Sequence, residues 1–198
     1  PDSAPWNDLA GRTIHAIRAA DPRRAIMVGG NRYNMAEEMQ NLVLPDDPYL
    51  VYTFHHYHPM VFTHQRAYWV PALANVPLID YPGVITDARS KIKLVPHAQI
   101  PSDLPDTLIL DKNGLVQTLK PAVDFIKSRN ALVYCGEFGA IDQAPLESRL
   151  NWYRDFIGLL NEYKIGRAVW SYKEMDFGLV DHDGQVISQE LIKIVCSR

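Results

Sequence analysis

Apolar positions recur along this chain with two alternating periods, and their order predicts an α/β fold. From Trp6 to Ala20, Leu9, Ile14 and Ile17, with Ala10 and Ala16 beside them, mark a short amphipathic helix that Asp21-Pro22 stops. Ala25-Ile26-Met27-Val28 reads as a strand running into Gly29-Gly30-Asn31, and residues 35–42 as a short helix. Tyr49 to Phe54 is the next strand, ending in His55-His56-Tyr57-His58-Pro59. From about residue 60 to 116 the pattern fades. Pro59, Pro71, Pro77, Pro82, Pro96, Pro101 and Pro105 punctuate what is expected to be a long loop. Pro121 opens a helical pattern through Lys127, carried by Val123 and Ile126. An apolar strand from Ala131 to Glu137 follows. The strongest helix covers 147–163, with Leu150, Tyr153, Phe156, Ile157, Leu160 and Tyr163 near 3.6-residue spacing. Gly166 to Trp170 is the last strand, and residues 188–196 the last helix. Strands alternating with helices build a parallel sheet with helices outside it.

Composition narrows the classes without choosing among them. The chain has 198 residues, 47% hydrophobic and 22% charged, with a net charge of −3. That is enough for one domain with a real core, and residues 1–198 are read as a single domain. A pI near 6.2 with no basic run gives no footprint for nucleic acid. No apolar stretch approaches the roughly 20 residues of a membrane-spanning helix. Cys135 and Cys196 do not form a disulfide framework: Cys135 reads as a small core residue, Cys196 as part of the last helix. The chain opens at Pro1 with no signal-like segment, so the natural N-terminus is expected upstream.

Candidate chemistry collects at one place in the pattern. Asn31, His55, Tyr57, Glu137, Trp170 and Lys173 each follow the C-terminal end of a strand, the face that carries active sites in α/β barrels. Each has a plainer reading alone. Glu137 could be a salt-bridged strand end, Asn31 a turn residue, His55 a satisfied polar group and Trp170 ordinary core. Their shared face is the stronger signal. Glu137 stands out because it closes an apolar strand between two glycines, Gly136 and Gly139, in Tyr134-Cys135-Gly136-Glu137-Phe138-Gly139.

Three segments carry a resemblance. Tyr52-Thr53-Phe54-His55-His56-Tyr57-His58-Pro59, with Phe62-Thr63-His64-Gln65, resembles the sixth-strand region of glycoside hydrolase family five, the cellulases and related endoglycanases. The Glu137 segment resembles its seventh strand. Trp170-Ser171-Tyr172-Lys173, then Phe177-Gly178-Leu179, resembles its eighth strand and following loop. The resemblance covers essentially the whole chain. It implies half of a (β/α)8 TIM barrel, strands five to eight with their helices and a long loop after the sixth. The family's Asn-Glu-Pro acid/base motif is missing, so strands one to four and that glutamate are expected upstream of Pro1.

The resemblance also implies roles. Glu137 matches the nucleophile of a retaining glycosidase, in which a second carboxyl group about 5–5.5 Å away protonates the leaving oxygen. Tyr57 matches a hydroxyl donor beside that carboxylate, and His55 a histidine that contacts sugar and sets the proton balance. Trp170 would stack on a glucosyl ring, and Asn31 and Lys173 would meet sugar hydroxyls. Trp69 is either a further sugar platform or an anchor of its loop. His56, His58 and His64 read as rim or structural residues. The implied substrate is a β-glucan, with no cofactor or metal, in a secreted or periplasmic setting. Two rivals stay open. Histidines 55, 56, 58, 64 and 97 could ligate zinc, although adjacent strand positions face opposite ways. Alternatively, the chain is a non-catalytic fragment that binds glucan or dimerises. Four strands cut from a barrel would leave two open edges, for which a homodimer or a complementing N-terminal half-barrel is expected.

Overall fold

A computed structural model describes residues 2–93 and 105–197. The chain packs as two compact units. The first comprises Pro1–His56, Thr118–Glu137 and Glu162–Ala168; the second comprises Tyr57–Gln117, Phe138–Asn161 and Val169–Arg198.

The first unit holds the main sheet, and it is α/β as expected. Helix α1 (Ser3–Ala20) leads into β1 (Ile26–Gly29) and β2 (Leu50–His56). These join β5 (Val133–Phe138) and β6 (Gly166–Arg167) in the order β1-β2-β5-β6. The β1–β2 pair is parallel, from Ile26 beside Leu50 to Gly29 beside Thr53, and β5–β6 is parallel with Tyr134 beside Gly166. Strand β2 explains the face assignment. Leu50, Tyr52, Phe54 and His56 are buried, while Val51, Thr53 and His55 between them are half-buried. This period of two divides a core face from a face that can carry chemistry. Tyr52 meets Phe125 edge-on at 4.8 Å, and the Arg129 guanidinium lies 4.8 Å over the same ring while donating to the Leu42 carbonyl. Arg18, in the last turn of α1, closes on Asp47 at 2.6 Å, pinning the helix to the loop before β2 and holding the Asp47 carboxyl below the usual carboxylate range.

The second unit is built around α5 (Leu146–Glu162). Its period buries Leu150, Trp152, Tyr153, Phe156, Ile157, Leu159 and Leu160. Trp152 stacks on Phe156 at 5.2 Å, and Phe138 packs against Phe156 at 5.3 Å. Full burial of each such ring contributes roughly 1.5–3 kcal/mol. The final helix α6 (Gln189–Val195) is capped by Ser188, whose Oγ accepts from the Leu191 N–H; Cys196 is an exposed residue just past its end.

Three expectations are corrected. The 60–116 stretch is not one loop: its described part contains α2 (Met60–Thr63), β3 (Gly83–Ile85), α3 (Ala88–Ile92) and β4 (Leu108–Leu110). Strands β3 and β4 form an antiparallel pair with Val84 opposite Ile109. Pro121 does not open its helix: α4 runs Lys112–Arg129 with Pro121 inside it. Asp111 starts the helix instead, its carboxylate accepting from the Gly114 N–H at 2.9 Å. The last strand is only Gly166–Arg167, so Trp170 lies beyond it.

Candidate active site

Glu137 and His55 stand together in the first unit. Strand β2 delivers His55 on its half-buried face, and the neighbouring β5 delivers Glu137 near its own end. His55 Nδ1 lies 3.4 Å from Glu137 Oε2, with side chains 26% and 31% exposed. A carboxylate accessible to that degree can be reached by a ligand while still held by a neighbour. Gly136 makes the approach possible. A Cβ there would come within 2.9 Å of Thr53 Oγ1 and 3.5 Å of the His55 ring. The imidazole also donates to the Tyr33 backbone carbonyl. Burial lowers its pKa below the usual histidine value, opposed by the Glu137 charge and the Tyr33 carbonyl. A neutral imidazole has a single N–H, so His55 can give it to the Tyr33 carbonyl or to Glu137 but not to both at once.

Asn31 belongs to the same unit and is buried, at the turn after β1. The backbone there is unusual. Arg32, Tyr33 and Asn34 take φ of 47°, 61° and 60°, three successive left-handed residues with no glycine among them. Tyr33 is 75% exposed. Sequence reasoning missed this turn; the asparagines at 31 and 34 were its only signal, since Asn tolerates left-handed geometry better than most residues.

The second unit assembles an aromatic cluster after β2. Tyr57 meets His64 edge-on at 5.1 Å and Phe177 at 5.8 Å, while Trp69 lies 6.4 Å from the His64 ring and 6.3 Å from Phe177. The hydroxyl of Thr63 organises it. Thr63 Oγ1 donates to the Tyr57 carbonyl at 2.5 Å and stands 3.1 Å from His64 Nδ1. A hydroxyl has one proton to give. With that proton on the Tyr57 carbonyl, Thr63 accepts from His64, which fixes the Nδ1–H tautomer. Burial lowers the His64 pKa to about 4. His64 is thus a structural member of the cluster. His58 is also tied in through its backbone, which accepts from Trp152 Nε1 at 3.0 Å. Trp69 is 43% exposed and Tyr68, edge-on to it at 5.0 Å, is 74% exposed.

Trp170 is half-buried, and its N–H donates to the Phe138 carbonyl at 2.9 Å. Gly139 leaves room for it, because a Cβ there would sit 2.5 Å from the Trp170 carbonyl oxygen. Lys173 Nζ lies 3.9 Å from Glu174 on the surface. Asn31, His55 and Glu137 thus fall in one unit, and Tyr57, Trp69, Trp170 and Lys173 in the other. Of the histidines weighed as zinc ligands, His56 is fully buried near Thr118 Oγ1 (3.4 Å), on the face opposite His55, and His97 lies outside the described residues. Among the described residues no three His, Cys, Asp or Glu side chains converge as a metal-ligand set.

Comparison with known proteins supplies the family. Residues 2–176 match the family model described as cellulase (glycosyl hydrolase family 5). Endoglucanase C of Acetivibrio thermocellus is 44% identical over 199 residues, covering all of this chain and 58% of that protein; endoglucanase C307 of Clostridium sp. (strain F1) matches to the same extent. The chain therefore spans little more than half the length of these relatives. Among solved structures, Thermotoga maritima Cel5A in complex with cellobiose superposes with a TM-score of 0.75 at 22% identity, covering 98% of this chain and 55% of that one. Cellulose synthase subunit Z of Clostridioides difficile superposes with a TM-score of 0.78 at 19% identity, covering 98% and 56%. By the match over residues 2–176 and the identity to the two endoglucanases, the chain belongs to the cellulase family, glycosyl hydrolase family 5.

Proposed function

We propose that this chain is the nucleophile-bearing half of a (β/α)8 barrel, corresponding to strands five to eight, that hydrolyses β-1,4-glycosidic bonds in a glucan such as cellulose with retention. The observation that carries the reading is the accessible Glu137 carboxylate held 3.4 Å from His55 at the ends of two adjacent parallel strands. Endoglucanase relatives at 44% identity support the substrate class. In the first step a Glu137 oxygen attacks the anomeric carbon as the glycosidic C–O bond breaks, and a second carboxyl group protonates the leaving oxygen. In the second step that group, now a carboxylate, takes a proton from water, and the water oxygen displaces Glu137. The second carboxyl group comes from outside this chain. His55 orients the attacking carboxylate and Tyr57 donates a hydroxyl to it. Trp170 and Trp69 offer faces to pyranose rings, and Asn31 and Lys173 meet sugar hydroxyls. The test completes the protein to the full length of the family's catalytic domain and compares it with Glu137→Gln on a cellulosic substrate. The expected loss is at least about a thousandfold, the scale of removing a covalent nucleophile; activity within about tenfold of the parent refutes the assignment.

The strands β1 and β6 end the sheet, and Met27 on β1 is 57% exposed. This favours a partner that pairs with a sheet edge, a second copy or a complementing N-terminal half-barrel. Light scattering should give a mass near or above twice 22.5 kDa, whereas a concentration-independent 22.5 kDa species that unfolds cooperatively contradicts the partner.

A further inference from the structure

The turn after β1 contains a device that the catalytic reading leaves unused. Its three left-handed residues, Arg32, Tyr33 and Asn34, lie in a region that side chains other than glycine disfavour, asparagine least among them. Such a run persists only where the surroundings fix it. Here the fixing group is the Asn34 side chain. Its Oδ1 accepts from the Gly30 N–H at 2.9 Å, folding the turn back on the strand it leaves. Its amide occupies the space a side chain would fill at Gly29: a Cβ at Gly29 would lie 1.9 Å from Asn34 Oδ1. Gly30 is constrained as well, since a Cβ there would come 2.7 Å from Glu38 Cβ. The Asn34 N–H donates to the Asn31 carbonyl at 2.9 Å, and Met35 bridges to His55 in a parallel pairing. Between these fixed points lies Tyr33, whose carbonyl receives the hydrogen bond from His55. Asn34, seated in the notch left by Gly29, therefore fixes the peptide that holds one side of the His55 imidazole, while Glu137 stands at Nδ1.

We infer that Asn34 is a positioning residue: through the Tyr33 carbonyl it sets the ring orientation and tautomer of His55, and so the presentation of His55 to Glu137. The contact chain is independent of the proposed chemistry, but its catalytic meaning rests on the role given to Glu137 above. Asn34 itself touches no reacting atom in this scheme.

The choice of variants separates the side chain from the backbone. Asn34→Gly keeps the left-handed backbone accessible and removes only the acceptor. Asn34→Asp keeps an oxygen at the same place and tolerates the same φ. Gly29→Ala attacks the device from the other end by expelling the Asn34 side chain from its notch. The readout is the long-range proton–nitrogen-15 correlation spectrum of the histidine rings, with His55 assigned by the signals lost in His55→Gln. Asn34→Gly and Gly29→Ala should change the Nδ1/Nε2 tautomer ratio of His55 and leave the His64 signals in place, and Asn34→Asp should restore the parental ratio. A parental His55 spectrum in either Asn34→Gly or Gly29→Ala overturns the proposal. So does failure of both variants to fold, which would make Asn34 a folding residue only. The Glu137 assignment fails separately, through activity persisting in Glu137→Gln, and that result leaves the spectroscopic signature intact.

Discussion

His64 should make the fold acid-labile by an amount that the structure lets one work out. Its ring is buried among Tyr57, Phe177 and Trp69 and donates through Nδ1 to Thr63, and burial lowers its pKa from 6.5 to about 4. The unfolded chain therefore binds a proton first as pH falls. Stability from this group is fully present above the unfolded value, declines as pH drops below about 6.5 and is lost once pH passes the folded value near 4. Linkage gives a loss of about 2 kcal/mol between roughly pH 7 and pH 5, approaching about 3 kcal/mol at the acid limit. Many other groups titrate in the same window, so the useful quantity is a difference. His64→Phe keeps a ring in the cluster and removes the proton site. Urea unfolding of parent and variant across that range should give curves whose separation changes by about 2 kcal/mol, the variant losing less on acidification. A separation that stays constant with pH would mean that His64 is protonated as easily in the fold as outside it, and the desolvation argument would fail.

Two further outcomes follow from the geometry. Trp170→Ala should weaken binding of a cello-oligosaccharide to the completed protein by roughly 1–3 kcal/mol with little change in melting temperature, as read by calorimetry, because the ring is only half-buried; a large fall in melting temperature with affinity preserved would make it core. Gly139→Ala should destabilise by about 1–3 kcal/mol in urea, since its Cβ meets a backbone carbonyl at 2.5 Å that cannot move away cheaply, and a variant as stable as the parent would show that the site relaxes freely.

The elements visible from sequence were those whose signal is local and repeated. Helix α5 declares itself by Leu150, Tyr153, Phe156, Ile157 and Leu160, and β2 by its alternation, because burial on one face writes a period into the residues. Strands β3 and β4 are three residues each, too short to show any period, and a single cross-strand neighbour defines them. Pro121 misled because a proline commonly begins a helix, whereas here Asp111 supplies the start and the helix tolerates the proline within it. Glu137 and His55 were legible because a polar residue at the end of an apolar strand is itself an anomaly. The parts played by Asn34, Tyr33 and Thr63 were not. Each acts through one backbone group or one hydroxyl, and its meaning arises only when Gly29, His55 or His64 is brought beside it.

The adjacent pair His55-His56 on β2 has a consequence for how this strand tolerates change. A shift by one residue turns every side chain of a strand to the opposite face. In most strands such a shift would remove the functional group from its face outright. After the loss of one residue ahead of it, the shifted strand would still present an imidazole, since His56 would take the place of His55. What would be lost is everything behind it: Leu50, Tyr52 and Phe54 would leave the core for the open face, and Val51 and Thr53 would replace them with smaller or polar groups. A one-residue deletion in β2 is thus rejected by the greasy side of the strand, and the histidine dipeptide is indifferent to it.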